Sequence, residues 1–102
     1  MTDDDVWWGT VRVRTPPTPV LVDLTIALPP SRVVARGVPL RVRASGIDLL
    51  PVAGQLLSWH QLATGDWYAL VEMRLTNRTG RGALPVQQLV PAAAVRRRGL
   101  DD

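Results

Sequence analysis

Apolar residues recur at every second position along most of this chain, and this period of two restricts the fold more than any other feature of the sequence. Successive side chains of a β-strand point to opposite sides, whereas a helical face repeats every 3.6 residues. The clearest example is the stretch 67–75, whose apolar face consists of Trp67, Ala69, Val71, Met73 and Leu75. Because no stretch shows sustained helical periodicity, the pattern predicts an all-β protein.

Turn-forming residues separate the alternating segments about every 8 to 12 residues, which is typical of a small barrel or sandwich. The predicted strands cover residues 10–14, 20–28, 32–44 (as one or two strands), 55–62, 67–75 and 83–90. Prolines within 15–19 are expected to end the first strand, because proline has no N–H for the ladder. The clearest hairpin pairs 55–62 with 67–75 across a short loop that contains Gly65. In all, about six to seven short antiparallel strands are expected.

The chain has 102 residues, the size of one small domain. We expect a single domain over residues 1–102, with a mobile acidic N-terminus at 1–5 and a mobile basic tail at 96–102. The sequence has no cysteine, which excludes disulfides and thiolate metal sites. Its acidic start differs from a secretory signal, and its apolar stretches are too short to cross a membrane, so a cytoplasmic location without membrane contact is expected.

Four Trp and one Tyr supply all the aromatic bulk, since there is no Phe. We expect Trp67 to pack inside the barrel against Trp59 or Leu57, and Tyr68 to point the other way. Trp7 and Trp8 are adjacent, so on a strand they would face opposite sides and could not both lie in the core. Trp7, Trp8 and Tyr68 are therefore the candidate interface aromatics.

The second half of the chain resembles an SH3 domain in three short motifs. Gly-Asp-Trp-Tyr at 65–68 is similar to the family's Gly-Asp-Trp-Trp strand start, and Thr-Gly-Arg-Gly at 79–82 is similar to its distal turn. Val-Pro-Ala-Ala-Ala-Val at 90–95 has the spacing of its closing Ile-Pro-Ser-Asn-Tyr-Val. The resemblance implies an SH3-like small barrel.

The same comparison places Trp67 where the family has the tryptophan of its proline-peptide groove. Ala94, however, stands where the family has its groove tyrosine, and Ala93 where it has an asparagine. The resemblance therefore implies the barrel topology and not the binding of proline-rich peptides. Small SH3-like barrels serve many roles, so the fold alone does not specify one.

The residues that could carry catalysis are few. His60 is the only histidine, and a Ser-His-Asp arrangement would have to combine it with Ser58 and Asp66. No glycine-rich nucleophile turn precedes Ser58, and no phosphate-binding glycine loop opens a helix. The acidic run at 3–5 is more typical of a solvated terminus than of converging metal ligands. We therefore expect no enzyme activity, no catalytic residue, no metal, no cofactor and no small-molecule substrate.

All twelve basic residues are Arg, a bias typical of GC-rich coding, and the net charge is +3. Arg12 and Arg14 alternate on one predicted strand, and Arg41 and Arg43 on another, so the two pairs could form an arginine ladder on the outer face of the sheet. Three more, Arg96, Arg97 and Arg98, begin the tail. Arginines near exposed aromatics are typical of nucleic-acid contact, whereas a solvated face or an acidic partner explains the same pattern.

Two functions are therefore open. The first is a non-catalytic interaction module, an accessory or assembly protein that binds another protein or itself. Its contact surface would come from the Leu-rich segment at 47–54 with Trp7 or Trp8; a structural protein of a phage or mobile element would share these features. The alternative is a nucleic-acid-binding barrel that uses the arginine-bearing sheet face.

Overall fold

The computed structural model describes residues 7–28 and 37–99. Their strands are β1 (Val11–Val22), β2 (Val52–Gln61), β3 (Trp67–Thr76), β4 (Ala83–Pro91) and β5 (Val95–Arg97). Between them lie the short helices α1 (Leu24–Ala27) and α2 (Leu40–Ser45) and a 3-10 helix, Ala92–Ala94. The strands form one antiparallel sheet in the order β4-β3-β2-β1-β5, curled into a half-barrel. The all-β prediction is confirmed, with five strands in the described part where six or seven were expected.

The core lies on the inner, concave face of the curled sheet. It consists of Val20, Val22, Leu24, Leu56, Ala69, Val71, Met73, Leu75, Val90 and Ala94. The predicted hairpin of β2 and β3 is confirmed, and so is the inward direction of the apolar face that continues from Ala69 to Leu75. Trp67 is only half-buried, because it begins β3 at the open end of this face.

The first predicted strand does not end at the prolines, because β1 continues through them. Val13 pairs with Ser58, and the next pair is Thr18 with Leu56, so the intervening residues of β1 bulge out of the ladder. Pro16 and Pro17 lie within this bulge, where no N–H is required for pairing. The two predicted strands at 10–14 and 20–28 are therefore the two parts of one bulged strand, which stops at Val22.

The chain leaves the sheet at Asp23, where the predicted strand 20–28 was wrong. The Asp23 carboxylate accepts a hydrogen bond from the Thr25 N–H (2.9 Å) and caps α1. The helical turn separates Leu24, which is fully buried, from Ile26, which is 39% exposed. The Asp23 N–H donates to the Ala94 carbonyl (2.7 Å) and so joins α1 to the 3-10 helix.

The prediction of one or two strands at 32–44 was also wrong where the structure describes it. Residues 29–36 lie outside the described residues, and 40–45 form α2, in which no residue is buried. Pro39 precedes the helix, and its carbonyl accepts from the N–H groups of Val42 and Arg43, both at 3.0 Å. Local hydrogen bonds therefore outweigh the alternating pattern there.

For residues 47–54 the sequence leaves a loop, a helix and a strand open, and no single one of these describes the whole segment. Ile47 forms a single β-bridge with Asn77, and the Asp48 N–H donates to the Thr76 carbonyl (2.8 Å). The chain then runs without regular structure until β2 begins at Val52. Residues 47–51 are thus a loop pinned to the end of β3, and 52–54 begin β2.

The predicted basic tail starts as part of the sheet. Arg96 and Arg97 belong to β5 and pair with Leu21 and Val20, and the Arg98 N–H donates to the Pro19 carbonyl (3.1 Å). The predicted mobile segment at 1–5 lies outside the described residues, as do 100–102. In the part of the chain that is described, no helix is long and apolar enough to cross a membrane.

Candidate functional site

Arg12 lies on the inner face of the sheet and not on the outer one. It pairs with Trp59, Trp59 pairs with Ala69, and Ala69 pairs with Val90. Paired residues of neighbouring strands share a face, and both Ala69 and Val90 are fully buried. The expected arginine ladder on the outer face is therefore wrong for Arg12.

Val13 takes the outward position that was predicted for arginine and is 70% exposed. The inversion is tolerated because the inner face is open at this end: β5 pairs only with the last three residues of β1. A half-barrel that is not closed by a long fifth strand leaves room there for a long polar side chain.

An inner cleft opens beside Arg12 and has a volume of about 260 Å³. Its lining includes Arg14, Thr18, Leu56, Trp59, Val95 and Arg97. The half-buried Trp59 packs with one part of its ring against the core and lines the cleft as well. The bulge of β1 carries Arg14 to the cleft, and the pairing of β5 with β1 brings Arg97 there.

Trp67 and Arg12 lie on the same face of the sheet as Trp59 but do not line the cleft. The Arg12 guanidinium lies over the Trp67 ring, 5.2 Å from its centroid. This is within the range of a cation–π contact. The open end of the inner face thus carries a mixed cluster of arginine and tryptophan.

The other predicted arginines are dispersed. Arg41 and Arg43 are exposed on α2, away from any strand, which is the second correction to the expected ladder. Arg96 pairs with Leu21, while Arg98 lines a depression of about 600 Å³ on the outer side of the sheet. That depression also contains Glu72, whose carboxylate accepts from the Gln87 amide (3.0 Å).

The candidate interface aromatics differ in exposure. Trp7 is 52% and Trp8 is 87% exposed, in a turn where the Thr10 N–H donates to the Trp7 carbonyl (3.0 Å). Trp8 has φ +55°, so it occupies the left-handed region and not a strand position. Tyr68 points outward as expected and is half-buried between its cross-strand neighbours His60 and Pro91.

The most exposed apolar stretch is residues 40–50, here called the α2 segment. Large apolar side chains that are between 41% and 79% exposed follow one another along it: Leu40, Val42, Ile47, Leu49 and Leu50. The described contacts that hold it to the sheet are the bridge of Ile47 and the hydrogen bond of Asp48. Such a surface is costly in water unless something covers it.

Ser58 and His60 are in contact on the outer face, Oγ to Nε2 at 2.8 Å. Asp66, the third member of the arrangement considered from the sequence, instead accepts a hydrogen bond from the Thr64 hydroxyl (2.8 Å) in the hairpin loop. Ser58 is buried and His60 is half-buried, so each side chain gives the other a hydrogen-bond partner. In the described residues, no group of three His, Asp or Glu side chains could hold a metal ion.

The sequence predicted the inward direction of Trp59, but it did not predict that this side chain lines a cleft. The cleft depends on the pairing of β5 with β1, which joins residues far apart in the sequence and leaves no local signal. Comparison of the chain with protein-family models, with curated proteins and with solved structures gives no match.

Two surfaces of different chemistry are the candidate binding sites in the described residues: the inner cleft and the α2 segment.

Proposed function

We propose that the protein is a non-catalytic interaction module that binds another protein through its α2 segment. The observation that carries this proposal is the run of large, exposed apolar side chains from Leu40 to Leu50. Single exposed leucines are ordinary in soluble proteins, but five large exposed apolar side chains within eleven residues favour a protein–protein contact. A helix that buries no residue of its own adds to this argument, because short helices depend on tertiary packing for stability.

The charges around the α2 segment indicate the kind of partner. Arg41 and Arg43 are next in sequence to the exposed Leu40 and Val42 on α2, so acidic residues beside the apolar contact of a partner would complement them. Trp7 and Trp8 are further exposed apolar groups that a partner could cover. An accessory or assembly role fits such a surface.

We also infer that the half-barrel is an SH3-like small barrel. Three facts support this inference: Gly65-Asp66 leads directly into β3, the motif at 79–82 lies between β3 and β4, and the motif at 90–95 passes from β4 through the 3-10 helix into β5. These three positions in the sheet are compatible with the inferred small barrel. Ala94 is buried in the core, so the position of the family's groove tyrosine contributes to packing here.

The test compares two variants of the full chain. The double substitution Leu40→Ser with Leu50→Ser removes the two most exposed apolar side chains of the α2 segment. Leu84→Ser makes the same change at an exposed leucine of β4 and is the matched control. Wild type and both variants are used as bait in cross-linking, each candidate partner is purified, and its affinity is measured by calorimetry. Sedimentation velocity over a wide concentration range tests self-association in parallel.

We expect the double variant to lose at least tenfold in affinity for a purified partner, or in self-association, while Leu84→Ser stays within about twofold; tenfold corresponds to 1.4 kcal/mol. The proposal would be overturned if the protein stays monomeric in sedimentation and none of the purified candidates binds it. It would also be overturned if a partner binds the double variant and the control with equal affinity.

The alternative, a nucleic-acid-binding barrel with arginines on an outer sheet face, has less support. Arg41 and Arg43 are on a helix and Arg12 is on the inner face, so the expected outer ladder is missing from the described residues. The arginines that do converge are those of the inner cleft.

A further inference from the structure

We propose that the inner cleft binds one nucleotide unit, with its base against Trp59 and its phosphate held by Arg14 and Arg97. This inference goes beyond the proposed protein contact and uses none of the α2 segment. It depends on the charge, the aromatic wall and the size of the cleft.

The charge of the cleft favours an anion. Arg14 and Arg97 line it, and no carboxylate does among the described residues. The four acidic side chains that the structure describes lie elsewhere: Asp23 caps α1, Asp48 begins the loop before β2, Asp66 bonds Thr64, and Glu72 bonds Gln87. Two guanidinium groups at one cavity repel each other unless an anion lies between them, and guanidinium forks match phosphate oxygens.

The aromatic wall favours a planar ring on the same ligand. Trp59 lines the cleft beside the two arginines and is braced from behind by the core. A fixed indole is a stacking platform for any base, because every base has a π-face. The neighbouring Trp67 ring is already covered by Arg12, which leaves Trp59 as the platform of the cleft.

The size of the cleft limits the ligand to about one nucleotide. Its volume of about 260 Å³ lies just below the range of about 300–1,000 Å³ that is usual for ligand sites. The nucleotide could be a free nucleoside monophosphate or one residue of a single strand. Arg12 continues the same face and could meet a second phosphate, so a strand would gain a contact that a mononucleotide lacks.

The experiment titrates the full chain by calorimetry at low salt with four probes: AMP, adenosine, inorganic phosphate and an eight-residue oligothymidylate. AMP is expected to bind more tightly than adenosine or phosphate alone, since only AMP uses both the indole and the guanidinium groups. Arg14→Gln and Arg97→Gln should each lower the affinity for AMP about tenfold or more, because each removes a charge-assisted hydrogen bond to the phosphate. Arg78→Gln, the same change in an exposed turn, is the control and should stay within about twofold.

The two sources of the nucleotide are separated by the oligonucleotide arm. If a strand is the ligand, the oligothymidylate binds more tightly than AMP, and Arg12→Gln reduces the slope of log affinity against log salt by about one. If a free nucleotide is the ligand, Arg12→Gln leaves the affinity for AMP unchanged, and the oligothymidylate binds no more tightly than AMP. Either result supports the inner cleft as a nucleotide site.

Three outcomes would overturn the proposal. The first is a folded wild-type protein that binds neither AMP nor the oligomer at low salt. The second is an equal loss in Arg14→Gln and Arg78→Gln, which would indicate general charge and not the cleft. The third is unchanged binding in both Arg14→Gln and Arg97→Gln. Leu40→Ser with Leu50→Ser should bind nucleotide like wild type, so the protein contact and the nucleotide site can fail separately.

Discussion

The Arg12 guanidinium lies over the indole of Trp67, 5.2 Å from the ring centroid, and joins the first strand to the third across β2. Arg12 is on the inner face of the sheet but stays exposed, because β5 pairs only with the far end of β1. The face of the tryptophan ring attracts the cation. This contact explains how a charged side chain occupies an inward position at the open end of the half-barrel.

Loss of the Arg12–Trp67 contact should reduce stability modestly. We expect Arg12→Gln to lower the free energy of unfolding by about 0.5–1 kcal/mol, the range of an exposed cation–π pair. Urea denaturation measures the change, with Arg78→Gln as the control. In the background of Trp67→Leu, the effect of Arg12→Gln should disappear; an undiminished effect would show that Arg12 acts through another contact.

The helical turn at α1 predicts opposite behaviour for two apolar residues two positions apart. Leu24 is fully buried, so Leu24→Ala should lower the free energy of unfolding by about 2–5 kcal/mol. Ile26 is 39% exposed, so Ile26→Ala should lower it by less than about 1 kcal/mol. Urea denaturation gives both values from the shift in midpoint when the m-value is unchanged. Similar large losses in both variants would instead favour an extended strand through 20–28.

Gly54 is a position where the sheet admits no side chain. A Cβ there would lie 2.8 Å from the Glu72 carbonyl oxygen and 3.2 Å from the Met73 Cβ, both on the paired strand. Gly54→Ala should therefore cost about 1–3 kcal/mol through overpacking of β2 against β3. Gln55→Ala, at the exposed neighbouring position, is the control for a strand substitution. Thermal and urea unfolding measure both variants. Equal stability of Gly54→Ala and Gln55→Ala would contradict the crowding argument.

Asp23 should make stability depend on pH in the acid range. The hydrogen bonds from the Thr25 hydroxyl and N–H hold the pKa of its carboxyl below the ordinary value of 3.8. A pKa that is lower in the folded state stabilises the fold above 3.8, and this contribution is lost as the pH falls through the folded pKa. The gap in unfolding free energy between wild type and Asp23→Asn should therefore shrink below pH 3.8. A gap that is constant with pH, or a carboxyl NMR titration at or above 3.8, would contradict this.

Much of the fold could be read from local sequence. The apolar face from Trp67 to Leu75 and the glycine-containing loop at 63–66 predicted the β2–β3 hairpin, because strand alternation and tight turns depend on neighbouring residues. The prediction was less successful at 20–28 and 32–44. There Asp23 and Pro39 begin helical turns, and the hydrogen bonds that these residues make outweigh the alternating pattern.

Of the candidate site, the arginines were identified from the sequence, but their grouping was not. Arg12 and Arg14 were expected to align with Arg41 and Arg43, and the structure instead brings Arg14 to Arg97 across the β1–β5 pair. The exposed apolar content near 47–54 was anticipated, and its continuation into α2 was not.

Alternation along a single strand specifies which residues share a face, but it does not specify which face is the inside. That choice depends on the register between strands that are far apart in sequence, here on the bulge that follows Val13 in β1 and the one that follows Leu56 in β2. A shift of one residue in pairing exchanges the two faces of a strand. For this reason local pattern determines that the chain is all-β and that Trp59 faces the core side, whereas tertiary pairing alone places Arg12 on that same face and brings Arg14 and Arg97 to one cleft.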